Sequence, residues 1–285
     1  MAPASIRPHR SARTASPPAR ARAASMALAA ALTATAALLF AGCGEEPPAP
    51  PPWSLPTPLA SGVTVSDAEP GEGAPLGEGD WFALHYDCRI AAIGDGPGDA
   101  EPYDSTRRGE PFVARLGGNH LLPGFVEGIR GLRVGGHRRF TVPPALAHGA
   151  LGRGRVPPDA TLEYEVWLVD RLVQSASGLW QRVVARGSGP PPRAGDVVVV
   201  EQQSSTFESG RTVSDSRVSG PLEFELGRGL ALPGLEEALL QMAPGERRFL
   251  VLPAELAYGK LGVGFELLPG QELLMDVTLL RVQRR

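Results

Sequence analysis

The pattern of hydrophobic and polar positions marks four segments of this chain, three by alternation and one by a run of hydrophobic residues. Residues 81–90 alternate around His85 and Tyr86, and residues 197–200 form a short run of valines. Two further stripes with a period of two residues consist of Leu162, Tyr164, Val166 and Leu168 and of Leu273, Met275, Val277 and Leu279. Successive side chains of a strand point to opposite faces, so these segments predict strands that bury one face in a core.

Two other short segments are bounded by residues that typically begin and end helices. Residues 124–130 follow Pro123 and precede Gly131, and residues 234–241 follow Pro233. Proline is favoured at the first position of a helix and glycine just beyond its end. We therefore predict one short helix, at Gly124–Arg130 and at Gly234–Gln241, beside each group of strands.

The chain contains an internal repeat. Residues 122–152 align without a gap with residues 232–262, at an offset of 110. The identical pairs include Pro123/Pro233, Gly124/Gly234, Glu127/Glu237, Gly135/Gly245, Arg138/Arg248, Pro143/Pro253, Leu146/Leu256, Gly149/Gly259 and Gly152/Gly262. A period of this length is that of a small domain and not of a solenoid repeat. The prediction is an α+β protein of two tandem domains, each an antiparallel sheet wrapped around one short helix.

The first 43 residues have the pattern of a targeting sequence. Five arginines and no acidic residue precede an Ala- and Leu-rich run from Ala23 to Gly42, which ends at Cys43. This order is typical of a secretory signal peptide. Small residues directly before Cys43 resemble a bacterial lipobox, although Phe40 stands where leucine is usual. The alternative is an uncleaved membrane anchor, since about 20 apolar residues can just cross a bilayer.

These features divide the chain into four predicted segments: a lipoprotein signal peptide (1–43), a Pro-rich tether (44–60), a first domain (61–174) and a second domain (178–285). The tether lacks periodicity and favours an extended spacer. Lipid on Cys43 would place the protein in the cell envelope, facing the periplasm. Gly44 carries no inner-membrane retention signal, which favours the outer membrane.

Charge and cysteine content exclude several classes of function. Without the five leader arginines, 23 basic and 31 acidic residues leave a formal net charge of −8, so no nucleic-acid partner is predicted. A lipidated Cys43 would leave Cys88 unpaired, so no disulfide framework is expected. His85 and Cys88 lie three residues apart on a strand and point to opposite faces. No metal site and no cofactor are predicted, and His120 and His137 are expected to be solvated.

Several motifs resemble the FKBP family of peptidyl-prolyl isomerases over residues 63–173 and 178–284. They are Leu122-Pro123-Gly124-Phe125, the Gly-x-x-Arg strand after each helix, Pro253–Gly259 and Val156–Leu162. The resemblance implies the fold predicted above and catalysis of Xaa-Pro isomerisation in proline-containing polypeptide clients. Such an enzyme would assist the folding of envelope proteins.

The resemblance also places a pocket in the first domain. It implies catalytic roles for Tyr86, Asp104, Phe125, His148 and Tyr164, and substrate binding by Tyr103, Phe112, Leu121, Leu122 and Val156. Asp104 is expected to accept a hydrogen bond from Tyr86 and to pair with Arg108. Two positions depart from the family, because Phe125 replaces its usual tryptophan at the pocket floor and His148 replaces its usual tyrosine.

The second domain departs further. The aligned residues are Gln202, Leu222, Leu235 and Met275, with Val213 or Ser214 at the first wall, Ser214 or Asp215 at the aspartate position, and only Tyr258 retained. The second domain is therefore predicted to be structural or a binding module, with dimerisation as a further possibility. For the whole protein, the alternative to an isomerase is a non-catalytic chaperone or scaffold that binds unfolded chains.

Overall fold

The computed structural model describes residues 53–94, 96–118, 120–262 and 268–284. The predicted signal peptide, Cys43 and the first part of the tether lie outside the described residues. Within them, no helix is long and apolar enough to cross a membrane.

The first domain is built on an antiparallel sheet of eight strands. They are β1 (Thr57–Pro58), β2 (Thr64–Glu69), β3 (Trp81–Ile93), β4 (Gly96–Pro97), β5 (Asp104–Ser105), β6 (Phe112–Arg115), β7 (His137–Val142) and β8 (Ala160–Arg171). Their order is β1-β2-β7-β8-β3-β4, and β5 and β6 also pair with β3. Alternate residues of β8 are buried, as its two-residue period predicts. Helix α1 (Pro123–Ile129) begins with proline at its first turn.

The second domain repeats this arrangement with seven strands. They are β9 (Val173–Gln174), β10 (Trp180–Ala185), β11 (Val197–Thr206), β12 (Thr212–Asp215), β13 (Leu222–Glu225), β14 (Arg247–Leu252) and β15 (Leu273–Gln283). Their order is β12-β11-β15-β14-β10-β9, with β13 also on β11. The two antiparallel sheets and the helix in each domain confirm the predicted α+β architecture.

The helices differ from the prediction at their ends and in number. The one in the second domain, α3 (Pro233–Leu239), ends two residues earlier than expected. A further turn, α2 (Ser216–Ser219), was not predicted, because four residues are too few to show a helical period. The Asp215 side chain caps this turn by accepting a hydrogen bond from the Arg217 backbone N–H.

One arginine in each domain closes the end of the neighbouring helix. Arg138 donates from Nη1 to the carbonyl oxygens of Gly128 and Arg130, both at 3.0 Å. Arg248 donates from Nη2 to the Gln241 carbonyl at 2.7 Å. The last carbonyls of a helix lack partners within it, and a cation there also suits the helix dipole. Both arginine side chains are thus largely buried against the helix ends.

The described part of the tether contacts the first sheet. Ser54 donates from its backbone N–H to the Asp67 carbonyl at 2.7 Å, and β1 pairs with β2. The ring of Trp53 meets the ring of His137 edge-on at 4.7 Å, with the Arg139 guanidinium 4.4 Å from the Trp53 ring centroid. The residues from Trp53 onward thus belong to the domain surface and do not act as a spacer. Their contacts with β2 and β7 are long-range, so the absence of periodicity gave no sign of them.

The two domains share an apolar contact. Trp81, Leu172 and Val251 form a buried cluster to which Phe207 and Phe249 add partly buried rings. The rings of Trp81 and Phe207 lie 4.6 Å apart at a steep angle. Two ion pairs join the domains beside this cluster: Arg115 to Glu272 at 3.1 Å and Arg247 to Glu110 at 2.9 Å. Burial of Trp81 thus depends on both domains.

Candidate functional site

A small cavity of about 120 Å³ opens between the sheet and α1 of the first domain. Among the described residues its lining consists of Tyr86, Asp104, Phe112, His120, Leu121, Leu122, Phe125 and Tyr164. Seven of the ten residues proposed from the sequence therefore meet around one space. Tyr86 and Tyr164 come from the neighbouring strands β3 and β8, and Phe125 from the first turn of α1.

Aromatic rings hold one another in place around this cavity. The Phe125 ring lies 5.0 Å from that of Tyr164 and 6.3 Å from that of Tyr86, in steeply inclined pairs. The Phe112 ring meets Tyr86 at 5.9 Å and nearly at right angles. Edge-to-face pairs of this kind are favourable because a positive ring edge meets a negative ring face. The rings form a rigid apolar surface with little freedom to collapse.

Behind the cavity, Phe140 fixes the two most buried of these rings. It stacks on Tyr164 at 5.3 Å and meets Phe125 at 5.8 Å. Its own ring fits over the helix only because residue 128 is glycine, since a Cβ at that position would overlap three of the Phe140 ring carbons. Gly128 thus sets the depth of the pocket floor.

One charged group borders the cavity. The Tyr86 hydroxyl donates to the Asp104 carboxylate at 2.7 Å, as expected. Among the ion pairs of the described residues none joins Asp104 to Arg108, so that expectation is wrong. Arg107 lies instead over the Trp167 ring, 3.7 Å from its centroid. Asp104 therefore orients the Tyr86 hydroxyl without an arginine partner.

The tyrosines of the site stay uncharged. Burial, and then the Asp104 hydrogen bond and charge, raise the pKa of Tyr86 above its usual range. Burial and the nearby Cys88 raise the pKa of Tyr164 likewise. Burial also raises the pKa of the Cys88 thiol to about 11, although hydrogen bonds with Tyr103 and Tyr164 oppose it. At neutral pH Tyr86 and Tyr164, which line the cavity, and the Cys88 thiol near Tyr164 are therefore uncharged.

Three proposed residues lie off the cavity lining. Val156 is buried in the first-domain core, and Tyr103 packs against that core, where its hydroxyl lies 3.3 Å from the Cys88 sulfur. His148 precedes the 3₁₀ turn Gly149–Leu151 and is partly exposed. Burial, and then the charge of Arg153, lower the pKa of His148 below 6.5. Its imidazole is therefore neutral at physiological pH and carries one N–H donor.

Of the two histidines expected to be solvated, His120 is exposed, whereas only 12% of the His137 side chain is exposed. His120 lines the cavity, and its ring lies 4.9 Å from Phe207 of the second domain. His137 stacks on Trp167 at 4.5 Å, and its Nε2 lies 2.9 Å from Glu165. Single histidines give no periodic signal, and both environments come from residues distant in the chain. Within the described residues, no group of three or more metal-binding side chains comes together.

Pairing in the second sheet settles which residues correspond to the first-domain site. Cys88 pairs with Asp104 and Tyr164, and Ser204 pairs with Ser214 and Met275 in the same way. Ser214 is thus the counterpart of Asp104, and Val213 that of Tyr103. Gln202, at the position of Tyr86, donates from Nε2 to Ser214 at 2.8 Å, so an amide and a hydroxyl replace the phenol and the carboxylate.

Comparison with known proteins finds the same family in both domains. The profile of the family described as FKBP-type peptidyl-prolyl cis-trans isomerase matches residues 74–169 and 189–280. The chain is 31% identical over 215 residues to the human protein named Peptidyl-prolyl cis-trans isomerase FKBP10, covering 72% of this chain and 34% of that protein. It is 28% identical over 211 residues to the Mus musculus protein named Peptidyl-prolyl cis-trans isomerase FKBP9, at 72% and 35% coverage. The chain thus spans about a third of the length of these curated relatives.

Two solved structures are similar in part. The three FKBP domains of wheat FKBP73 match 79% of this chain and 97% of that chain, with a TM-score of 0.43 and 21% identity. FkpA from Escherichia coli matches 39% of this chain and 51% of that chain, with a TM-score of 0.36 and 36% identity.

Proposed function

Because this chain belongs to the FKBP-type peptidyl-prolyl cis-trans isomerase family, we propose that its first domain isomerises Xaa-Pro bonds in polypeptide clients. The observation that carries this proposal is the cavity walled by Tyr86, Phe112, Phe125 and Tyr164, whose tyrosines stay neutral. Its volume of about 120 Å³ suits a single small apolar ring such as that of proline.

The chemistry needs no nucleophile, metal or acid–base pair. Rotation about an Xaa-Pro bond meets a barrier of about 18–20 kcal/mol, which arises from lost amide resonance. In the twisted transition state the carbonyl is less polarised than in the planar amide. A site that removes water from this carbonyl therefore favours the twisted form over the planar one. The rigid rings around Phe125 supply such a surface.

Polar groups would hold the substrate backbone while the bond rotates. Leu121 and Leu122 border the cavity, and the family resemblance implies that their backbone groups meet the substrate. His148 is our proposed donor to the substrate carbonyl, since its lowered pKa keeps a neutral N–H available. It lies off the lining of the cavity, so it would act on the part of the substrate that extends beyond the prolyl ring.

The position of His148 also favours one alternative, a chaperone or scaffold that binds proline-containing chains without useful turnover. The isomerase and the chaperone predict different isomerisation rates for a short Ala-Xaa-Pro peptide in the presence of residues 50–285. Acceleration that His148→Phe reduces by at least tenfold supports the enzyme with His148 as donor. Suppression of client aggregation without any acceleration supports the chaperone, and restored turnover in His148→Tyr would show that the donor is what the chain lacks.

For the second domain we propose binding without isomerisation. Leu222, Leu235 and Met275 stand where the first domain has Phe112, Phe125 and Tyr164. Such a site retains apolar walls but lacks the ring cage that restricts a prolyl group. Self-association through this domain is a further possibility, and sedimentation of residues 50–285 with and without apolar surface variants would measure it.

We also propose that the protein is lipidated on Cys43 and held in the cell envelope on the periplasmic side, with the outer membrane favoured. The support is the basic leader, the apolar run and the small residues before Cys43. Labelling of cells with a radioactive fatty acid tests this, with Cys43→Ser as the matched control. Label retained in that variant, or an uncut leader in the wild type, would contradict lipidation and favour the membrane anchor.

A further inference from the structure

The second domain contains a cavity of about 660 Å³ at the place where the first has one of about 120 Å³. The difference follows from smaller side chains at matching positions. Leu235 replaces Phe125 at the floor, and Met275 replaces Tyr164 on the strand beside it. Leu235 and Met275 are nearly fully buried at its inner end, whereas Leu230 in its lining is 67% exposed, so the cavity opens to the surface. Its volume falls within the range of ligand pockets, about 300–1,000 Å³.

The side of this cavity formed by β11 is polar. Gln202 is 4% exposed and Ser204 is 1% exposed, and both line the cavity. The Gln202 side chain is oriented by its Nε2 donating to Ser214 Oγ at 2.8 Å. Its Oε1 and the Oγ of Ser204 are buried and make no hydrogen bond with any described residue. Buried polar atoms are normally paired, and each exception calls for an explanation. Here two such atoms belong to Gln202 and Ser204, alternate residues of β11 that both line one cavity.

These two atoms define what could bind. A glutamine Oε1 only accepts, so its partner must carry an N–H or O–H donor, which a prolyl ring lacks. The walls around it are apolar, with Leu235, Met275 and the ring of Tyr258. Glu223, the charged residue of the lining, keeps 55% of its side chain exposed and lies 3.9 Å from Arg281. The site therefore suits a large apolar body with one polar tip.

We propose that the second-domain cavity binds a tyrosyl or tryptophanyl side chain of a polypeptide, whose O–H or N–H donates to Gln202 Oε1. Buried tyrosine and tryptophan need a partner for this one polar group, and sulfur atoms such as that of Met275 favour contact with aromatic rings. The ligand's being a polypeptide rests on the proposed function, whereas the requirement for an aromatic donor rests on the cavity alone. The two domains would then recognise different residues of one extended client.

The test uses three proline-free peptides that differ at one atom or group: acetyl-Ala-Tyr-Ala-amide and its phenylalanine and O-methyltyrosine analogues. Calorimetry measures their affinity for residues 50–285, which form one compact unit. We expect the tyrosine peptide to bind about fivefold to tenfold more tightly than both analogues, the usual effect of one hydrogen bond. Shifts of the Met275 methyl resonance would place the peptide in this cavity.

Two variants and one control sharpen the result. Gln202→Leu should abolish the preference for tyrosine, whereas Gln203→Leu on the opposite face of β11 should preserve it. Leu235→Phe should lower the affinity for all three peptides at least tenfold, because it restores the ring that narrows the first-domain cavity. Equal binding of the three peptides, an unchanged preference in Gln202→Leu, or no binding at all would overturn the proposal. Because the peptides lack proline, none of these outcomes depends on whether the first domain is an isomerase.

Discussion

A methyl group added at Gly128 should disturb the first-domain pocket from behind. A Cβ at this position would overlap three ring carbons of Phe140, whose ring is 1% exposed and held against Phe125 and Tyr164. Overpacking of this kind costs about 1–3 kcal/mol. Alanine in place of glycine returns about 1 kcal/mol through its better helix propensity. Because the ring has no free space to move into, we expect Gly128→Ala to destabilise the first domain by about 1.5–2 kcal/mol.

The second domain supplies the compensating change. Its repeat has Ala238 and Leu250 at the positions of Gly128 and Phe140. We therefore expect Gly128→Ala to cost little or nothing when Phe140→Leu is already present. A double-mutant cycle isolates this coupling, which should exceed about 1 kcal/mol. Ala238→Gly serves as the matched control and should cost about 1 kcal/mol through propensity without any coupling to a ring.

Backbone hydrogen exchange in residues 50–285 can assign the effect to one domain. Amides of β7 and β8 should exchange about tenfold to thirtyfold faster in Gly128→Ala, and those of β14 and β15 should not change. If Phe125 and Tyr164 form the catalytic surface, the isomerisation rate should fall as well. An unchanged or slower exchange in Gly128→Ala, or an equal cost in the presence of Phe140→Leu, would refute the account of the pocket floor.

Three further predictions concern titration and contacts. The His148 ring should titrate below pH 6.5 in NMR spectra of the folded protein and near its ordinary value after unfolding, and a folded midpoint above 6.5 would contradict this prediction. Because the folded-state pKa is lowered, the stability that this group contributes is present above its unfolded pKa and is lost as pH falls through the folded value. The Cys88 thiol, with a pKa of about 11, should resist alkylation at pH 8 until the domain unfolds, and rapid labelling of the native protein would show that its burial is wrong. The Trp81 indole N–H is buried without a partner among the described residues, and Phe207→Ala should speed its exchange with solvent. Loss of the ring pair should lower the stability of the contact between the domains by about 0.5–1.5 kcal/mol. An exchange rate equal to that of the wild type would argue against this contact.

The architecture could be predicted because it depends on local patterns. A two-residue period of hydrophobic positions predicted β8 and β15, and a proline before the segment with a glycine after it predicted α1. The repeat at an offset of 110 then showed that the same fold occurs twice. The short turn α2 and strand β1 escaped detection, since two to four residues carry no period and depend on a cap or on a distant partner strand.

The site could be predicted only in part. Most of its apolar residues followed from the family resemblance and do meet around one cavity. The inclusion of His120, the stacking of His137 on Trp167 and the burial of Arg138 and Arg248 did not follow, because each depends on residues far away in the chain. Likewise, the unpaired atoms of Gln202 and Ser204 become visible only when the register of β11 against its neighbours is known.

The most direct test of the central claim is the same truncation made once in each domain. Phe125→Ala and Leu235→Ala remove matching side chains from the floors of the two cavities, and the isomerisation rate of an Ala-Xaa-Pro peptide is measured for residues 50–285 of each variant. Truncation of a buried phenylalanine costs about 3–5 kcal/mol, so hydrogen exchange must first show that the first domain of Phe125→Ala remains folded under the assay conditions. Our account predicts that the wild type accelerates isomerisation, that Phe125→Ala loses this acceleration and that Leu235→Ala keeps it. No acceleration by the wild type, or loss of activity in Leu235→Ala with Phe125→Ala unaffected, would contradict it.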